Sequence, residues 1–458
     1  MNTTKDMLSR EENEYITHVG PGTPMGDLFR QYWLPAGLSS EVLTDGDPLR
    51  LMLLGEQLIA FRDTNGQVGL VQNACPHRGA SLFFGRNEEC GLRCVYHGWK
   101  FDVSGACVDM PNEPAESNFK HKVKATAYPC RERGGLIWAY LGPRSTPPEL
   151  PDFEANTLEG CQAFAAMRDS NWLQALEGDI DTCHTAILHS GAVQPDDVPD
   201  WAFAHFMVRN RAPRYALADH TAGATYTAYC AAQPGHLFYR LGQYYFPCYT
   251  SPAPGLLGYE RRVTMWVPMD DEHVMVYNLS APRAQPGEAP PQRLRPSLLP
   301  NTTDWFGRFR MPNQPENDYL IDRTVQRGNK GPNGYTGIVG VAQQDAAMQG
   351  SGSMGAIVDR SKERLGTSDA MIIHVRRLLI QAARALDEQG TTPPGVDHSE
   401  AYRLRSGGVI LKEGEDWIAA TRDLQRAYVD HEGLDLRNNA QGYARALGRS
   451  PTAAVPRT

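Results

Sequence analysis

Residues 75–99 read CPHRGASLFFGRNEECGLRCVYHGW and combine cysteines and histidines at short spacings. Cys75 and His77 form a Cys-x-His pair, and after sixteen further residues Cys94 and His97 form a Cys-x-x-His pair. Thiolates and neutral imidazoles are both good ligands for transition metals, so two loops that each carry one of each can hold a metal centre between them. The stretch therefore predicts a metal site built from two loops.

Two kinds of metal centre accept this ligand set. A structural zinc ion takes two cysteines and two histidines in a tetrahedron. A Rieske [2Fe-2S] cluster takes two cysteines on one iron and two histidines on the other, which raises its reduction potential. Ligand spacing alone leaves both possibilities open.

The sequence around these loops predicts short strands. Alternating apolar and polar residues, with hairpin-type turns at Asn65-Gly66 and Ser104-Gly105, indicate a small β domain over residues 40–140. The apolar stretch GGLIWAYLGP at 134–143 closes it, and three prolines between residues 147 and 151 mark a boundary near residue 150.

The remainder of the chain mixes helix-like and strand-like segments, which predicts an α+β fold. Ser368 is expected to cap a helix whose buried face carries apolar residues at 3-4-3-4 spacing: Ile372, Val375, Leu379, Ala382 and Leu386. The other expected elements are a helix near 172–189, strands near 236–249, 261–267 and 273–280, and a proline-rich surface loop over 282–296.

A second ligand set lies in NWLQALEGDIDTCHTAILH at 171–189, where Asp181, His184 and His189 are spaced as D-x-x-H-x-x-x-x-H. Histidines five residues apart on an ideal helix point about 140° apart, so both reach one ion only if the helix ends or distorts. We expect a break near Ile187. Two histidines and one carboxylate on one face of an iron(II) ion leave positions open for dioxygen, and the carboxylate has to come from elsewhere in the chain.

Composition excludes several classes of protein. With 458 residues, 41% hydrophobic content and a net charge of −8, the chain has no general basic field for nucleic acid. It contains no apolar run of roughly 20 residues and begins with a polar, acidic segment, so we expect a cytoplasmic protein without membrane contact. Nine cysteines is an odd number, which favours metal ligation and free thiols over a disulfide framework.

Three stretches together resemble one family. CPHRG followed by CVYHGW, the run EGDIDxxHxxxxH, and EENEYITHVGPGTPMGDLFRQYW at 11–33 are similar to the oxygenase component of Rieske non-haem iron ring-hydroxylating oxygenases, in the phthalate dioxygenase branch. The resemblance favours a Rieske cluster over zinc at Cys75, His77, Cys94 and His97. It also implies a mononuclear Fe(II) held by His184, His189 and Asp345.

The same resemblance implies the architecture. We expect a Rieske domain at 40–150 and a catalytic domain at 151–458 of the helix-grip, START or Bet v 1-like type, with an antiparallel sheet curved around a long helix. Residues 1–39 are expected to pack on the catalytic domain. The family further implies a homotrimer, or a hexamer of two stacked trimers, in which an electron crosses from the cluster of one chain to the iron of its neighbour. Asp181 would then be catalytic without ligating iron, because it would bridge His184 of its own chain and His97 of the neighbour.

The activity implied is addition of both atoms of O2 to a phthalate-like aromatic carboxylate, giving a cis-dihydrodiol. Electrons would come from an NADH-dependent flavin and iron-sulfur reductase. Alternatives on the same scaffold are a monooxygenase or O-demethylase of a methoxybenzoate and an angular dioxygenase of a phenoxybenzoate. A redox carrier or a zinc-stabilised binding protein would lack oxygen chemistry altogether.

Substrate residues are the least marked part of the sequence. Arg214 and Arg240 are expected to bind a substrate carboxylate, because arginine matches carboxylates with two parallel hydrogen bonds. Thr182 is expected to offer a hydroxyl to the pocket. The tyrosine-rich run from 239 to 249 either faces the substrate ring or fills the core of a sheet.

Overall fold

The computed structural model describes residues 7–114, 116–198, 203–253, 255–258, 261–281 and 297–429. The expected proline-rich loop at 282–296 lies outside these residues. Among the helices within them, none is both long enough and apolar enough to cross a membrane.

The helices are α1 Arg10–Thr17, α2 Pro24–Arg30, α3 Glu154–Thr157, α4 Trp172–Ile180, α5 Phe203–Arg209, α6 Arg323–Gly328, α7 Val341–Gln349, α8 Ala370–Gln389 and α9 Trp417–Gln425. The strands of the first third of the chain are β1 Trp33–Leu38, β2 Leu49–Leu53, β3 Glu56–Arg62, β4 Val68–Gln72, β5 Arg86–Glu88, β6 Gly91–Arg93, β7 Lys100–Phe101, β8 Cys107–Asp109, β9 Cys130–Arg133 and β10 Leu136–Tyr140. The later strands are β11 Gln162–Arg168, β12 Arg214–His220, β13 Gly223–Gln233, β14 His236–Tyr245, β15 Tyr249–Ser251, β16 Arg261–Pro268, β17 Val274–Ala281 and β18 Gly407–Lys412.

The first ten strands form three small antiparallel sheets, in the orders β1-β10-β9, β2-β3-β4 and β5-β6-β7-β8. The two expected hairpins are confirmed, since β3 and β4 flank Asn65-Gly66 and β7 and β8 flank Ser104-Gly105. Gly66 and Gly105 have φ of +78° and +81°, a conformation that these turns require and that glycine adopts without strain. The sheet of β5 to β8 holds the second cysteine loop between β6 and β7.

The later strands form one larger antiparallel sheet in the order β11-β17-β16-β15-β14-β13-β12, with β18 also paired to β14. Residues of this sheet share one core with α4 and with the long helix α8, including Met265 of β16, Trp172 of α4 and Leu379 of α8. The predicted α+β class with an antiparallel catalytic sheet is confirmed.

The tyrosine-rich run fills the core. Tyr244, Tyr245 and Tyr249 are fully buried. The rings of Tyr245 and Tyr249 pack with Phe153, and that of Tyr245 also packs with Tyr402. These tyrosines therefore stabilise the sheet instead of facing a substrate.

Two helix expectations need correction. Helix α8 begins at Ala370 after a 3-10 turn, so its N-cap is Asp369, and Ser368 lies inside that turn. The expected apolar face is nevertheless correct, because Val375, Leu379 and Ala382 are buried while Ile372 and Leu386 pack against the same core. The helix expected near 172–189 ends earlier, at Ile180.

The three segments proposed from the sequence are closely joined. Strand β1, at the end of the N-terminal segment, pairs with β10 of the expected Rieske domain, with Trp33 opposite Tyr140. Helices α1 and α2 contact α8, and α1 also contacts α4. The boundaries at residues 39 and 150 stay a prediction, because a shared sheet crosses the first of them.

A buried charge cluster holds α4 against α8. Glu177 of α4 accepts hydrogen bonds from Arg360 at 3.0 Å and from Arg376 of α8 at 2.6 Å, and Arg376 also donates to Glu363 at 2.6 Å. Burial alone would raise the pKa of Glu177, but the two guanidinium groups outweigh it and lower that pKa. Because buried charges are stable only when paired, this cluster fixes the position of α4.

We expect Glu177→Gln to lower the free energy of unfolding by about 3–5 kcal/mol, the usual effect of removing one partner of a buried ion pair. Urea unfolding followed by far-ultraviolet circular dichroism measures it. Glu159→Gln, at an exposed glutamate, is the control and should change stability by less than about 0.5 kcal/mol. Equal stability of the two variants would contradict a structural role for the cluster.

Candidate metal centres

The two cysteine loops have the same backbone geometry. In the first, the N–H of Cys75 donates to the carbonyl of Ala80 at 2.8 Å, and the N–H of Gly79 donates to the carbonyl of Cys75 at 2.9 Å. The second loop, which begins at Cys94, has both bonds at the equivalent positions, again at 2.8 and 2.9 Å. Each loop is thus a closed turn that presents one cysteine and one histidine.

The two sulfur atoms lie side by side in the interior. Cys75 and Cys94 are each 3% exposed, and their side chains are within hydrogen-bonding contact. Burial raises the pKa of Cys75 to about 11, and the backbone N–H groups of His77 and Arg78, which donate to its sulfur, act in the opposite direction. Backbone donors of this kind stabilise thiolates that bind iron.

The two histidines of these loops face each other at the outer side. The ring centroids of His77 and His97 are 4.4 Å apart, and His77 stacks on Trp99 at 4.2 Å. Trp99 is held by a hydrogen bond from its indole N–H to Asn112 at 2.8 Å. Nδ1 of His77 is buried and has no hydrogen-bond partner among the described residues, so it is free to ligate a metal. Desolvation, with smaller contributions from His77 and Arg78, lowers the pKa of His97, which favours the neutral form that ligation requires.

Gly79 and Gly98, whose N–H groups close the two cysteine loops, allow a test of this loop geometry. Gly79 and Gly98 have φ of +76° and +81°, but only Gly98 is crowded: an added Cβ would lie 2.5 Å from Cγ of Pro111, whereas at Gly79 it would meet nothing within 4 Å. Both alanine variants bear the strain of a left-handed residue, about 1–2 kcal/mol. We expect Gly98→Ala to reduce bound cluster to below half and Gly79→Ala to retain most of it. Acid-labile sulfide per chain measures this, and equal cluster content in both variants would contradict the interpretation.

The second ligand set depends on how the chain leaves α4. The helix ends at Ile180, Asp181 is extended with ψ of 97°, and Thr185–His189 form a π-helical turn. A π-helix closes i to i+5 hydrogen bonds, so residues five apart come to one side of it. The expected distortion between His184 and His189 is confirmed, but it lies on both sides of His184 and not at Ile187 alone.

Three ligand atoms meet at this point. Nε2 of His184 and Nε2 of His189 are 3.1 Å apart, and Oδ1 of Asp345, from α7, lies 3.5 and 3.2 Å from them. Ligands on one face of an octahedral ion, about 2.1 Å from it, are about 3.0 Å apart. The three side chains therefore fit one metal ion and leave its opposite face open.

The sequence did not reveal the residue that orients His189. Nδ1–H of His189 donates to Oε1 of Gln344 at 2.7 Å, and Nε2 of Gln344 donates to the carbonyl of Ile338 at 2.8 Å. The amide is therefore oriented with its oxygen toward the imidazole, which leaves Nε2 of His189 to face the metal position. Its position directly before Asp345 is the only signal in the sequence.

Charge accumulates around the three ligand atoms. Burial lowers the pKa of His184, but the carboxylates of Asp181 and Asp345 outweigh it and raise that pKa to about 10. Burial likewise raises the pKa of Asp345, while the two imidazoles and the guanidinium of Arg168 lower it far more. The site thus keeps Asp345 ionised, as a metal ligand has to be.

Asp181 is placed beside His184 but outside the three-atom set. Its Oδ1 accepts from the N–H of Cys183 at 2.8 Å, and its Oδ2 lies 3.5 Å from Nδ1 of His184, on the side of the ring away from Asp345. This geometry is that of an orienting carboxylate.

A cleft opens beside the π-helical turn. It is lined by Thr182, Cys183, Ala186, Met207, Asn210, Pro213, Ala228, Cys230, Phe238 and Arg240. Of the three residues expected to bind substrate, Thr182 and Arg240 line the cleft, whereas Arg214 is exposed at the start of β12 and is not among the lining residues that the structure describes.

Two protein-family models match the parts of the chain that contain the two ligand sets. Residues 32–128 match the Rieske [2Fe-2S] domain, and residues 139–440 match the LigXa C-terminal domain like family. This chain belongs to the Rieske non-haem iron oxygenases. The zinc and carrier alternatives are therefore wrong, and the oxygenase has a [2Fe-2S] cluster together with the mononuclear iron of its family.

Curated relatives of this Rieske oxygenase cover nearly its whole length. The 3-chlorobenzoate-3,4-dioxygenase oxygenase subunit of Comamonas testosteroni is 41% identical over 428 residues, which is 90% of this chain and 98% of the relative. The phthalate 4,5-dioxygenase oxygenase subunit of Pseudomonas putida is 35% identical over 435 residues, covering 92% and 96%. The chain is thus the terminal oxygenase of a Rieske dioxygenase or monooxygenase system.

Solved structures agree on the fold. A crystal structure of dicamba monooxygenase bound to dicamba superposes with a TM-score of 0.53 at 18% identity, covering 79% of this Rieske oxygenase and 99% of that chain. At this identity the likeness concerns the architecture alone.

Proposed function

We propose that this Rieske oxygenase dihydroxylates the ring of a benzoate-type aromatic carboxylate to a cis-dihydrodiol. Cys75, His77, Cys94 and His97 would hold the cluster, and His184, His189 and Asp345 the mononuclear iron. The observation that carries the substrate class is the half-buried side chain of Arg240, which lines the cleft and forms no salt bridge with a carboxylate among the described residues.

Arg240 lies on the central strand β14 and reaches the iron-binding turn. Its Nη1 donates to Oγ1 of Thr185 at 3.0 Å and its Nε to the carbonyl of Ala253 at 3.4 Å. None of the ion pairs formed within the described part of the chain involves it, and burial lowers its pKa. Asp179 and Asp181 act on its charge without forming a salt bridge with it, and a substrate carboxylate in the cleft would pair with it directly.

The rest of the cleft favours an aromatic ring with one carboxylate. Its lining residues are mostly apolar, among them Ala186, Met207 and Phe238, as in sites that bind an aromatic ring. Both relatives described above act, by their names, on aromatic carboxylates. Because Arg214 is exposed and does not line the cleft, Arg240 is the one arginine among the described lining residues, which favours a benzoate over the dicarboxylate phthalate.

The chain's own residues would divide the work of the reaction. When bound, the cluster supplies single electrons and the mononuclear iron activates dioxygen. Arg240 fixes the carboxylate end of the substrate, which places the ring toward the His184 side of the cleft, while the apolar wall excludes water. The carboxylate of Asp181, whose Oδ2 lies 3.5 Å from Nδ1 of His184, favours the proton on that nitrogen by its charge and so helps to leave Nε2 for the metal.

Assembly as a homotrimer or as stacked trimers belongs to the same proposal, with an NADH-dependent reductase supplying electrons. In support, the loop that carries His97 has exposed apolar neighbours, Val95 and Tyr96, at 57% and 55% exposure, as a contact surface for another subunit would. Asp181 would link its own His184 to His97 of the adjacent subunit.

The metal assignments predict different iron contents for two aspartate variants. Wild-type protein should contain three irons per chain, two in the cluster and one mononuclear. Asp345→Asn should retain only the two cluster irons, because the third ligand loses its charge. Asp181→Asn should keep all three irons and lose most of its turnover. Iron and acid-labile sulfide analysis decides, and loss of the mononuclear iron in Asp181→Asn would make that residue a ligand instead.

The substrate assignment predicts that Arg240→Met lowers kcat/KM for 3-chlorobenzoate roughly 10- to 150-fold, the effect of losing hydrogen bonds to a charged group. Arg214→Met is the matched control and should stay within about twofold. Equal losses in both variants would contradict the assignment of Arg240.

Product analysis with labelled dioxygen separates the reaction types. Two labelled atoms in a diol support dioxygenation. One labelled atom together with formaldehyde from a methoxybenzoate would instead establish O-demethylation.

A further inference from the structure

We propose that Arg168 is a positioning residue for the mononuclear iron. Its guanidinium faces Oδ2 of Asp345, the oxygen turned away from the histidines, and its charge favours the ferrous state. The inference rests on the proposed function, because it takes Asp345 as an iron ligand. Arg168 belongs to neither of the two ligand motifs. It is the last residue of β11 and lies on the side of the Asp345 carboxylate away from the histidines.

The two oxygens of Asp345 have different surroundings. Oδ1 faces the Nε2 atoms of His184 and His189, at 3.5 and 3.2 Å. Oδ2 faces Nη2 of Arg168, at 3.9 Å. This separation is too long for a hydrogen bond and short enough for a strong interaction between charges in a buried site. Arg168 therefore acts on Asp345 by charge, and it turns Oδ2 away from the metal position.

Arg168 itself has little freedom to move. Its side chain is 8% exposed, its guanidinium lies 5.0 Å from the ring centroid of Trp266, and its Nη1 donates to Oε1 of Gln349 at 3.0 Å. The backbone of Gln349 is anchored in turn, since its main-chain carbonyl accepts from Nε2 of Gln174 at 2.5 Å. A guanidinium held by a ring face and an amide keeps one orientation.

The side-chain amide of Gln349, which accepts from Arg168, packs against α4, the helix that leads into the histidine turn. An added Cβ at Gly178 would lie 1.8 Å from Nε2 of Gln349, so α4 and α7 approach each other closely at this glycine. The strand end at Arg168, the helix of Gly178 and the helix of Asp345 thus meet in one contact. Any shift of the guanidinium would disturb the carboxylate and the histidine turn together.

The charge of Arg168 has a predictable electronic effect. Asp345 carries one negative charge, and an adjacent buried cation cancels part of its field at the metal. Less negative potential at the iron favours Fe(II) over Fe(III), because the ferric ion gains more from a negative field. Loss of the cation should therefore strengthen binding of Fe(III) relative to Fe(II).

The test is a redox titration of the holoenzyme followed by EPR, in which the ferric mononuclear signal is separate from that of the reduced cluster. Arg168→Gln removes the charge and keeps a polar side chain, while Arg168→Lys keeps the charge. We expect Arg168→Gln to shift the ratio of Fe(III) to Fe(II) binding at least tenfold toward Fe(III), a midpoint lower by about 59 mV. Arg168→Lys should shift it less than threefold.

Arg310→Gln is the control for losing one positive charge nearby. The backbone of Arg310 forms a β-bridge with Met167, and among the described residues Arg310 contacts no iron ligand. Its midpoint should equal that of the wild type. Unchanged midpoints in Arg168→Gln that retains its iron, or equal shifts in the Gln and Lys variants, would overturn the role of the charge. Wild-type protein that lacks a mononuclear iron would instead overturn the proposed function.

Discussion

Two histidines five residues apart must face one carboxylate that comes from another helix, and the catalytic domain is built around this constraint. A regular helix cannot bring both imidazoles to one side, so the chain ends α4 at Ile180 and widens into a π-helical turn. Such a turn is weak by itself and needs support from its surroundings. Glu177, one turn before the break, anchors α4 to α8 through buried ion pairs, and Gln344 fixes His189 from α7.

Buried arginines have two different roles around this site. Arg360 and Arg376 are paired with Glu177, so their charges are compensated within the fold. Arg168 is balanced by Asp345 at a longer distance, and Arg240 has no carboxylate among the ion pairs of the described residues. The degree of compensation parallels the roles proposed above: full pairing would hold the framework, partial pairing would set the field at the iron, and Arg240, which has no salt bridge among the described residues, would bind an anionic ligand.

Fixed spacing indicates the two Cys-His pairs and the pair His184 and His189, whereas only the family resemblance indicates Asp345, which the structure brings to the two histidines. Both cysteine loops, the hairpins at Gly66 and Gly105 and the buried face of α8 are local patterns, and the structure agrees with them. The sequence predicts the supporting residues around these ligands poorly. Gln344 and Arg168 carry no spacing signal, because their partners lie far away in the chain. The sequence predicts too long a helix α4, because Asp181 accepts backbone N–H groups that a continuing helix would have used internally.

The two metal centres differ in exposure in a way that suits electron transfer. In the cluster loops the sulfurs are buried and the histidines lie on the outer side, next to exposed Val95 and Tyr96. In the second site His189 is buried while His184 and Asp345 are half-buried, and the cleft opens beside the π-helical turn that ends at His189. Electrons need only proximity to a surface, whereas dioxygen chemistry needs exclusion of water. In the assembly proposed above, an outward cluster and an inward iron would suit transfer between subunits, with Asp181 at the meeting point, its Oδ2 3.5 Å from Nδ1 of His184 on the side of the ring away from Asp345.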